Sequence, residues 1–336
     1  MNVKNPSLNR VLVTGGAGYV GAMLVPALLA AGYGVTVLDL YIYGADVLAQ
    51  VRGDPRLCEI KGDIRDAQAV GRALAGCDAV IHLACISNDP SFELNPALGR
   101  SINRDAFVPL VRASRDAGVK RFIYASSSSV YGVKNGVEVT EELSREPLTD
   151  YSRYKAECED LLDREHERGF VTVTVRPATV CGYSPRQRLD VVVNILTNLG
   201  YNKGEISVFG GDQLRPNIHI GDMVDVYLLL LAAPAEKIDG KVFNAGYENH
   251  TVMQLARMVQ TQVGEHVKLV VKPTNDPRSY HVSSGKIRRE LGFAPNHAID
   301  EAVGDLIGAF ARGNLPNSLD DPRYFNIKMM QRVNLA

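Results

Sequence analysis

Short apolar, β-branched runs alternate along the first half of the chain with longer stretches whose apolar residues recur every three or four positions. The runs Arg10–Thr14, Gly34–Asp39, Leu57–Lys61, Ala79–Leu83, Arg121–Ala125 and Val171–Arg176 read as strands. Tyr19–Ala31, Ala67–Leu74, Arg104–Ala117 and the charged stretch Tyr151–Arg168 read as helices. Strands that alternate with helices predict crossover units, and so a parallel sheet covered on both faces. From about Thr179 the period loosens, with Pro, Gly and Arg in 182–188 and 210–216. Asp222–Ala233 then reads as a helix, and Gly240–Asn244 as a strand that returns to the sheet. The remainder, to about Arg312, mixes helices and short strands.

Composition narrows the class. The 336 residues are 46% hydrophobic and 22% charged, ordinary for a soluble globular protein with a sizeable core. One large domain, or one plus a lobe, is the expectation. Lys and Arg number 37 against 38 Asp and Glu, a formal net charge of −1. That lacks the basic field of nonspecific nucleic-acid binding, so no nucleic-acid partner is expected. No apolar run is long enough to span a bilayer; the longest lies near Val224–Ala233, and Met1–Arg10 has no signal-peptide core. No membrane partner is expected. The five cysteines, Cys58, Cys77, Cys85, Cys158 and Cys181, form no C-x-x-C pair. Scattered reduced thiols, no metal site and a cytoplasmic home follow as expectations.

Candidate chemistry sits at two places. Gly15, Gly18 and Gly21 stand in G-x-x-G-x-x-G spacing between the first strand and the first helix. Small residues there let the backbone approach a pyrophosphate, and the helix start offers unpaired N–H donors. The same spacing also suits a tight turn with no ligand. The second strand, however, ends in Asp39, whose carboxylate can bind both hydroxyls of an adenosine ribose and repels a 2′-phosphate. No Arg or Lys follows in 40–45, so the expected cofactor is NAD rather than NADP. Asp63 and Ile64, after the third strand, suit the adenine amine. These features make the fold α/β, a Rossmann-type doubly wound parallel sheet over 1–178, rejoined by 222–246. A smaller C-terminal α+β lobe would be assembled from 179–221 and 247–325.

The second place is Tyr151-Ser152-Arg153-Tyr154-Lys155. Tyr151 and Lys155 are four apart and share one helical face, whereas Tyr154 points elsewhere. A phenol with a pKa near ~10 is a poor base at neutral pH, and a neighbouring ammonium lowers that value. An exposed tyrosine and a solvated lysine would give the same spacing. The serine run Ser126–Ser129, just past a strand end, favours the chemical reading, because strand C-termini are where such sheets bind ligands. A serine there can hold a substrate hydroxyl against the phenolate.

The chain resembles the extended short-chain dehydrogenase/reductase family, in its nucleotide-sugar epimerase/dehydratase branch. The matching segments are TGGAGYVG at 14–21, LD at 38–39, GDIRD at 62–66, HLA at 82–84, FIYASSSSVYG at 122–132 and YSRYK at 151–155. RPATVCG at 176–182, RPNIHIGD at 215–222, DPRSY at 276–280 and LGFAP at 291–295 continue it in order along nearly the whole chain. The resemblance implies Ser127, Tyr151 and Lys155 as catalytic residues, Tyr151 being the base and Lys155 also binding the nicotinamide ribose. It implies a cofactor site of Gly15, Gly18, Tyr19, Val20, Gly21, Asp39, Leu40, Asp63, Ile64, Leu83, Ala84, Cys85, Asn103, Tyr151, Lys155 and Pro177. For a nucleotide-diphosphate sugar it implies the C-terminal lobe as the substrate-binding part, and Ser87, Asn88, Ser127, Thr179, Asn194 and Arg188, with Arg215 and Arg278 on the diphosphate. A homodimer is implied too, paired through the helices at 104–117 and 151–168, with Leu110 and Leu161 between subunits.

The chain departs from one branch of that family. The 4,6-dehydratases carry Asp-Glu just after the catalytic Thr, where this chain has Ser128 and Ser129. Decarboxylating members, which use a nearby glutamate, are disfavoured as well. The expected activity is 4-epimerisation through a transient 4-keto sugar. The alternatives are a C4 dehydrogenase that releases the keto sugar, of the kind that oxidises GDP-heptose, and a 4,6-dehydratase. The segment Ser184–Asp190, with Arg186 and Arg188, resembles the GDP-heptose subgroup; its arginines suit phosphate or solvent. A non-enzymatic NAD sensor or RNA-binding member of the fold is the remaining alternative, disfavoured because Ser127, Tyr151 and Lys155 are all present.

Overall fold

The computed structural model describes residues 4–134, 136–274, 279 and 281–333. Arg278 lies outside the described residues. In chain order the first half contains β1 (Arg10–Thr14), α1 (Gly21–Ala30), β2 (Gly34–Asp39), β3 (Leu57–Lys61), α2 (Ala67–Leu74) and β4 (Ala79–His82). Then come α3 (Asp89–Glu93), α4 (Pro96–Arg100), α5 (Phe107–Asp116), β5 (Arg121–Ala125), β6 (Glu138–Val139), α6 (Asp150–Arg164) and β7 (Val171–Pro177). The second half has β8 (Thr179–Cys181), α7 (Val192–Lys203), β9 (Glu205–Phe209), β10 (Leu214–His219), α8 (Ile220–Ala232), α9 (Ala235–Ile238) and β11 (Lys241–Ala245). It closes with β12 (Glu248–Thr251), α10 (Val252–Val263), β13 (Lys268–Lys272), β14 (His281–Val282), α11 (Gly285–Leu291), α12 (Ile299–Ala311) and α13 (Asn326–Arg332).

Seven strands form one parallel sheet in the order β11-β7-β5-β4-β1-β2-β3. β1 pairs with both β2 and β4, so the chain runs outward to β3 and then returns across β1. That reversal opens a crevice at the strand C-termini between β1 and β4. The central strands are apolar on both faces because both are covered: the middle four residues of β2 are buried. Helices α1 and α8 cover one face, through Leu24, Leu28, Val226 and Leu230. Helices α2, α5 and α6 cover the other, through Val70, Leu110 and Leu162. A separate cluster, with Val193, Val208, Leu255 and Val303, packs α7, α10 and α12 around β9.

Every strand and long helix read from the pattern is present, with ends moved by a few residues. The expected helix from Arg104 begins only at Phe107, after a wide turn over Ser101–Asp105. Leu110 differs in role from the expectation. It is 1% exposed in the core beneath α5, so its side chain is spent within the chain and unavailable to a partner.

Candidate active site

The glycine loop closes over the end of β1. Gly15 has φ +74°, and a Cβ there would lie 2.7 Å from the Ala84 nitrogen, so only glycine lets the loop approach the β4 end. A Cβ on Gly21 would lie 2.6 Å from the Gly15 oxygen. At the end of β2, the Asp39 carboxylate accepts N–H bonds from Tyr41 at 2.7 Å and Ala17 at 3.0 Å. Each oxygen keeps lone-pair capacity for a ribose hydroxyl. Burial raises the Asp39 carboxyl above its usual range, against those N–H bonds and the Arg186 charge. Burial also opposes ionisation of Asp63, but the Arg65 guanidinium, 2.6 Å away, and its N–H hold that carboxyl below the usual range. The cradle fits a dinucleotide: Gly15, Gly18, Val20, Gly21, Asp39, Leu40, Asp63, Ile64, Leu83, Ala84, Cys85 and Pro177 line one continuous cleft.

Ser127, Tyr151 and Lys155 line the same cleft. Thr149 caps α6 reciprocally with Ser152, its hydroxyl accepting from the Ser152 N–H at 3.3 Å while the Ser152 hydroxyl accepts from the Thr149 N–H at 3.1 Å. That cap sets where the first turn begins, and so where Tyr151 and Lys155 point. Ser127 ends β5's connection in an extended conformation and caps the short turn Ser128–Tyr131, its oxygen accepting from the Ser129 N–H at 3.1 Å. The Ser127 hydroxyl meets that of Ser129 at 2.8 Å and lies close enough to the Tyr151 phenol to favour its ionisation. Lys155 is 4% exposed; its Nζ donates to the Ala125 carbonyl at 2.6 Å and stands 5.9 Å from the Tyr151 ring centroid.

Burial holds the Tyr151 phenol well above its ordinary pKa, and Cys85 and Asp89 add to the rise. Arg188 and the Ser127 hydroxyl pull the other way. The sequence reading gives the lowering role to the Lys155 ammonium alone. In the fold, desolvation dominates, and the cation that works to lower the phenol's pKa is Arg188.

Other expected residues fall into two groups. Ser87, Asn88, Thr179 and Arg188 line the cleft. Of these, Asn88 caps α3 through the Ser91 N–H at 3.0 Å, and Arg188 pairs with Asp190 at 2.9 Å. Tyr19 also lines the cleft, but its hydroxyl donates to the Gly182 carbonyl at 2.7 Å. Asn103, Asn194 and Arg215 stand elsewhere. Asn103 pairs with both backbone groups of Ile86, at 2.8 and 2.9 Å, holding the cleft wall from behind. Asn194 is fully buried; its amide binds Gly182, Arg188 and Tyr19, which shapes the 182–188 loop instead of facing substrate. Arg215 is on β10 opposite His250, away from this cleft's lining.

The sequence reading missed Tyr43 and Asn326, which also line the cleft, and left Arg186 between phosphate and solvent. Arg186 is in fact 4% exposed. No local pattern marks Asn326, because α13 reaches the cleft only by tertiary packing. There it bonds Ser87, Arg186 and Tyr43.

The model of the NAD dependent epimerase/dehydratase family matches residues 11–246. A UDP-glucose 4-epimerase of Lactobacillus helveticus is 28% identical over 324 residues, covering 89% of this chain and 94% of its own. A dTDP-glucose 4,6-dehydratase of Streptomyces griseus is 32% identical over 307 residues, covering 88% and 91%. Among solved structures, a dTDP-glucose 4,6-dehydratase from Streptomyces venezuelae, with NAD and TYD bound, superposes with a TM-score of 0.83 at 26% identity, covering 94% of this chain and 99% of that one. With a Rossmann-type sheet, a dinucleotide cradle and a family match over most of its length, the chain belongs to the NAD-dependent epimerase/dehydratase family of enzymes.

Proposed function

We propose that this chain is an NAD-dependent nucleotide-sugar 4-epimerase working through a transient 4-keto sugar. One observation carries the reading: Ser127, Tyr151 and Lys155 share the cofactor cleft, and Ser127 is followed by two serines rather than by carboxylates. Ser128 is buried, and the Ser129 hydroxyl turns onto Ser127 at 2.8 Å. In this reading Tyr151 takes the proton of the sugar's C4 hydroxyl while Ser127 holds that hydroxyl against the phenol. Bound NAD supplies the acceptor and donor of the C4 hydride. Tyr151 then returns the proton after the keto sugar has turned its other face. A 4,6-dehydratase needs further acid–base groups at C5 and C6. The carboxylates lining the cleft among the described residues are Asp39 and Asp63, at the adenosine end, and Asp89, which accepts from Thr149 at 2.5 Å.

A substrate deuterated at C4 tests the assignment. Epimerisation keeps the label in the sugar and yields the C4 epimer. Label appearing in released NADH would replace the epimerase with a C4 dehydrogenase, and product lacking the C6 hydroxyl would restore the dehydratase.

We assign 1–178 with 222–246 to the cofactor unit and 179–221 with 247–325 to the substrate lobe, which has a cluster entirely its own, although Ile218, Ile287 and Phe293 of that lobe pack into the cofactor unit's core. Arg278 and Arg215 keep their diphosphate role in this proposal by resemblance alone. A reducing cytoplasm suits the five cysteines, which are all free; no helix among the described residues is long and apolar enough to cross a membrane. The homodimer through α5 and α6 also rests on the resemblance, with half-buried Leu161 rather than Leu110 available to it. Light scattering at micromolar concentration should give twice the 36.6 kDa chain mass, and a 36.6 kDa particle would exclude the dimer.

A further inference from the structure

Arg186 is the least satisfied buried cation described in this protein. It is 4% exposed, and its Nε and Nη1 have no hydrogen-bond partner. Its guanidinium lies 3.5 Å from the Tyr43 ring centroid, and only Nη2 is engaged, donating to the Asn326 side-chain oxygen at 2.6 Å. The nearest acidic group in its own loop, Asp190, is taken by Arg188 at 2.9 Å and by the Asn326 N–H at 2.8 Å. Removing a guanidinium from water is costly unless an anion or several acceptors replace the water, so two orphaned N–H groups on the wall of a cleft mark a place where a ligand completes the set. The position says which part of the ligand. Arg186 lines the cleft with the glycine loop and Asp39, and its charge is felt by Asp39, Tyr19 and Tyr43. Its charge thus lies near both the ribose carboxylate and Tyr19 of the glycine loop. Planar paired donors suit phosphate oxygens there.

We propose that Arg186, held by Tyr43 and Asn326, binds a diphosphate in the cleft it shares with the glycine loop, and that this diphosphate is the cofactor's. The inference rests on the reading that this cleft holds NAD. Asn326 makes the arrangement more than a single contact. Its oxygen also accepts from the Tyr43 hydroxyl at 3.0 Å, and its amide donates to the Ser87 Oγ at 2.8 Å. One residue of α13 thus joins the loops after β2, β4 and β8. With Arg186 on the diphosphate, NAD would be enclosed by three loops and leave slowly. That suits a reaction in which the same cofactor takes and returns one hydride.

Calorimetry on the purified full chain tests this with NAD, ADP-ribose, adenosine and UDP as separate probes. Charge-assisted hydrogen bonds are strong enough that Arg186→Gln should raise the Kd for NAD and ADP-ribose about tenfold to a hundredfold. Adenosine, which has no phosphate, should bind unchanged. Arg186→Lys should fall between, keeping the charge without the paired donors. Asn326→Ala keeps the guanidinium but removes its one hydrogen bond, and should speed NAD release in a stopped-flow chase while the melting temperature without ligand holds within a few degrees. Unchanged NAD affinity in Arg186→Gln would overturn the proposal. So would an equal loss for adenosine, the mark of a disturbed fold. A loss confined to UDP would give the guanidinium to the sugar nucleotide's diphosphate instead. A wild-type chain that binds adenosine and UDP but not NAD would overturn the cofactor reading itself, an outcome distinct from any effect of the variants.

Discussion

Replacing Tyr151 with Phe should lower kcat by about 10²–10⁴, the usual cost of losing a positioned general base. That corresponds to about 3–5 kcal/mol of transition-state stabilisation. Phe fills the same space and keeps the ring beside Lys155, so the cleft should stay intact and NAD affinity should change little. The hydroxyl it removes is the one beside Ser127 in the cleft, on a buried ring. The split between a collapsed kcat and a preserved Kd for NAD is the result to look for, in steady-state kinetics paired with calorimetry. A Tyr151→Phe enzyme at full rate would remove the tyrosine from the chemistry and reopen the search around Cys85 and Asp89, the other titratable groups beside it.

Lys155→Met should damage both quantities. The lysine is buried, its ammonium is tied to the Ala125 carbonyl at the end of β5, and the Tyr151 ring is 5.9 Å away. Methionine approximates the stem but removes the charge and leaves that carbonyl without its donor. A lost charge-assisted contact to the ribose should raise the NAD Kd roughly tenfold or more. The base would lose a stabilising cation in a pocket that already disfavours phenolate, so kcat should fall about 10²-fold or further. Tyr154→Phe is the control on the same helix. Tyr154 packs on Phe92 with ring centroids 5.6 Å apart, outside the cleft lining, so its loss should leave turnover near wild type. A Lys155→Met enzyme with normal NAD affinity and low kcat would limit the lysine to tuning Tyr151.

Much of this architecture is legible in local sequence. A doubly wound sheet writes itself in continuous apolar runs, because each central strand is buried on both faces whatever its neighbours are. The i, i+4 spacing that puts Tyr151 beside Lys155, and the glycine spacing after β1, are local geometry that folding cannot rearrange without breaking α6 or the loop. Asp39 is legible for the same reason, as the residue that ends the apolar run of β2.

What the sequence alone could not decide are matters of direction and distance in the assembled fold. The family resemblance implies Asn103 at the cofactor and Asn194 at the substrate. Only packing turns their amides onto Ile86, Gly182 and Tyr19, because buried backbone groups must be paired and these were the side chains in reach. The sequence marks Leu110 as apolar on a helix, and the layer order decides that the core beneath α5, rather than a partner, receives it. The phenol's pKa is decided in the same way. A lysine four residues away argues for lowering it, but the depth at which both groups are buried sets the desolvation that wins. Arg186 and Asn326, 140 positions apart, meet through one 2.6 Å hydrogen bond over the cofactor cleft. No period or spacing along the chain encodes that meeting, since it depends on where α13 docks after the rest has folded.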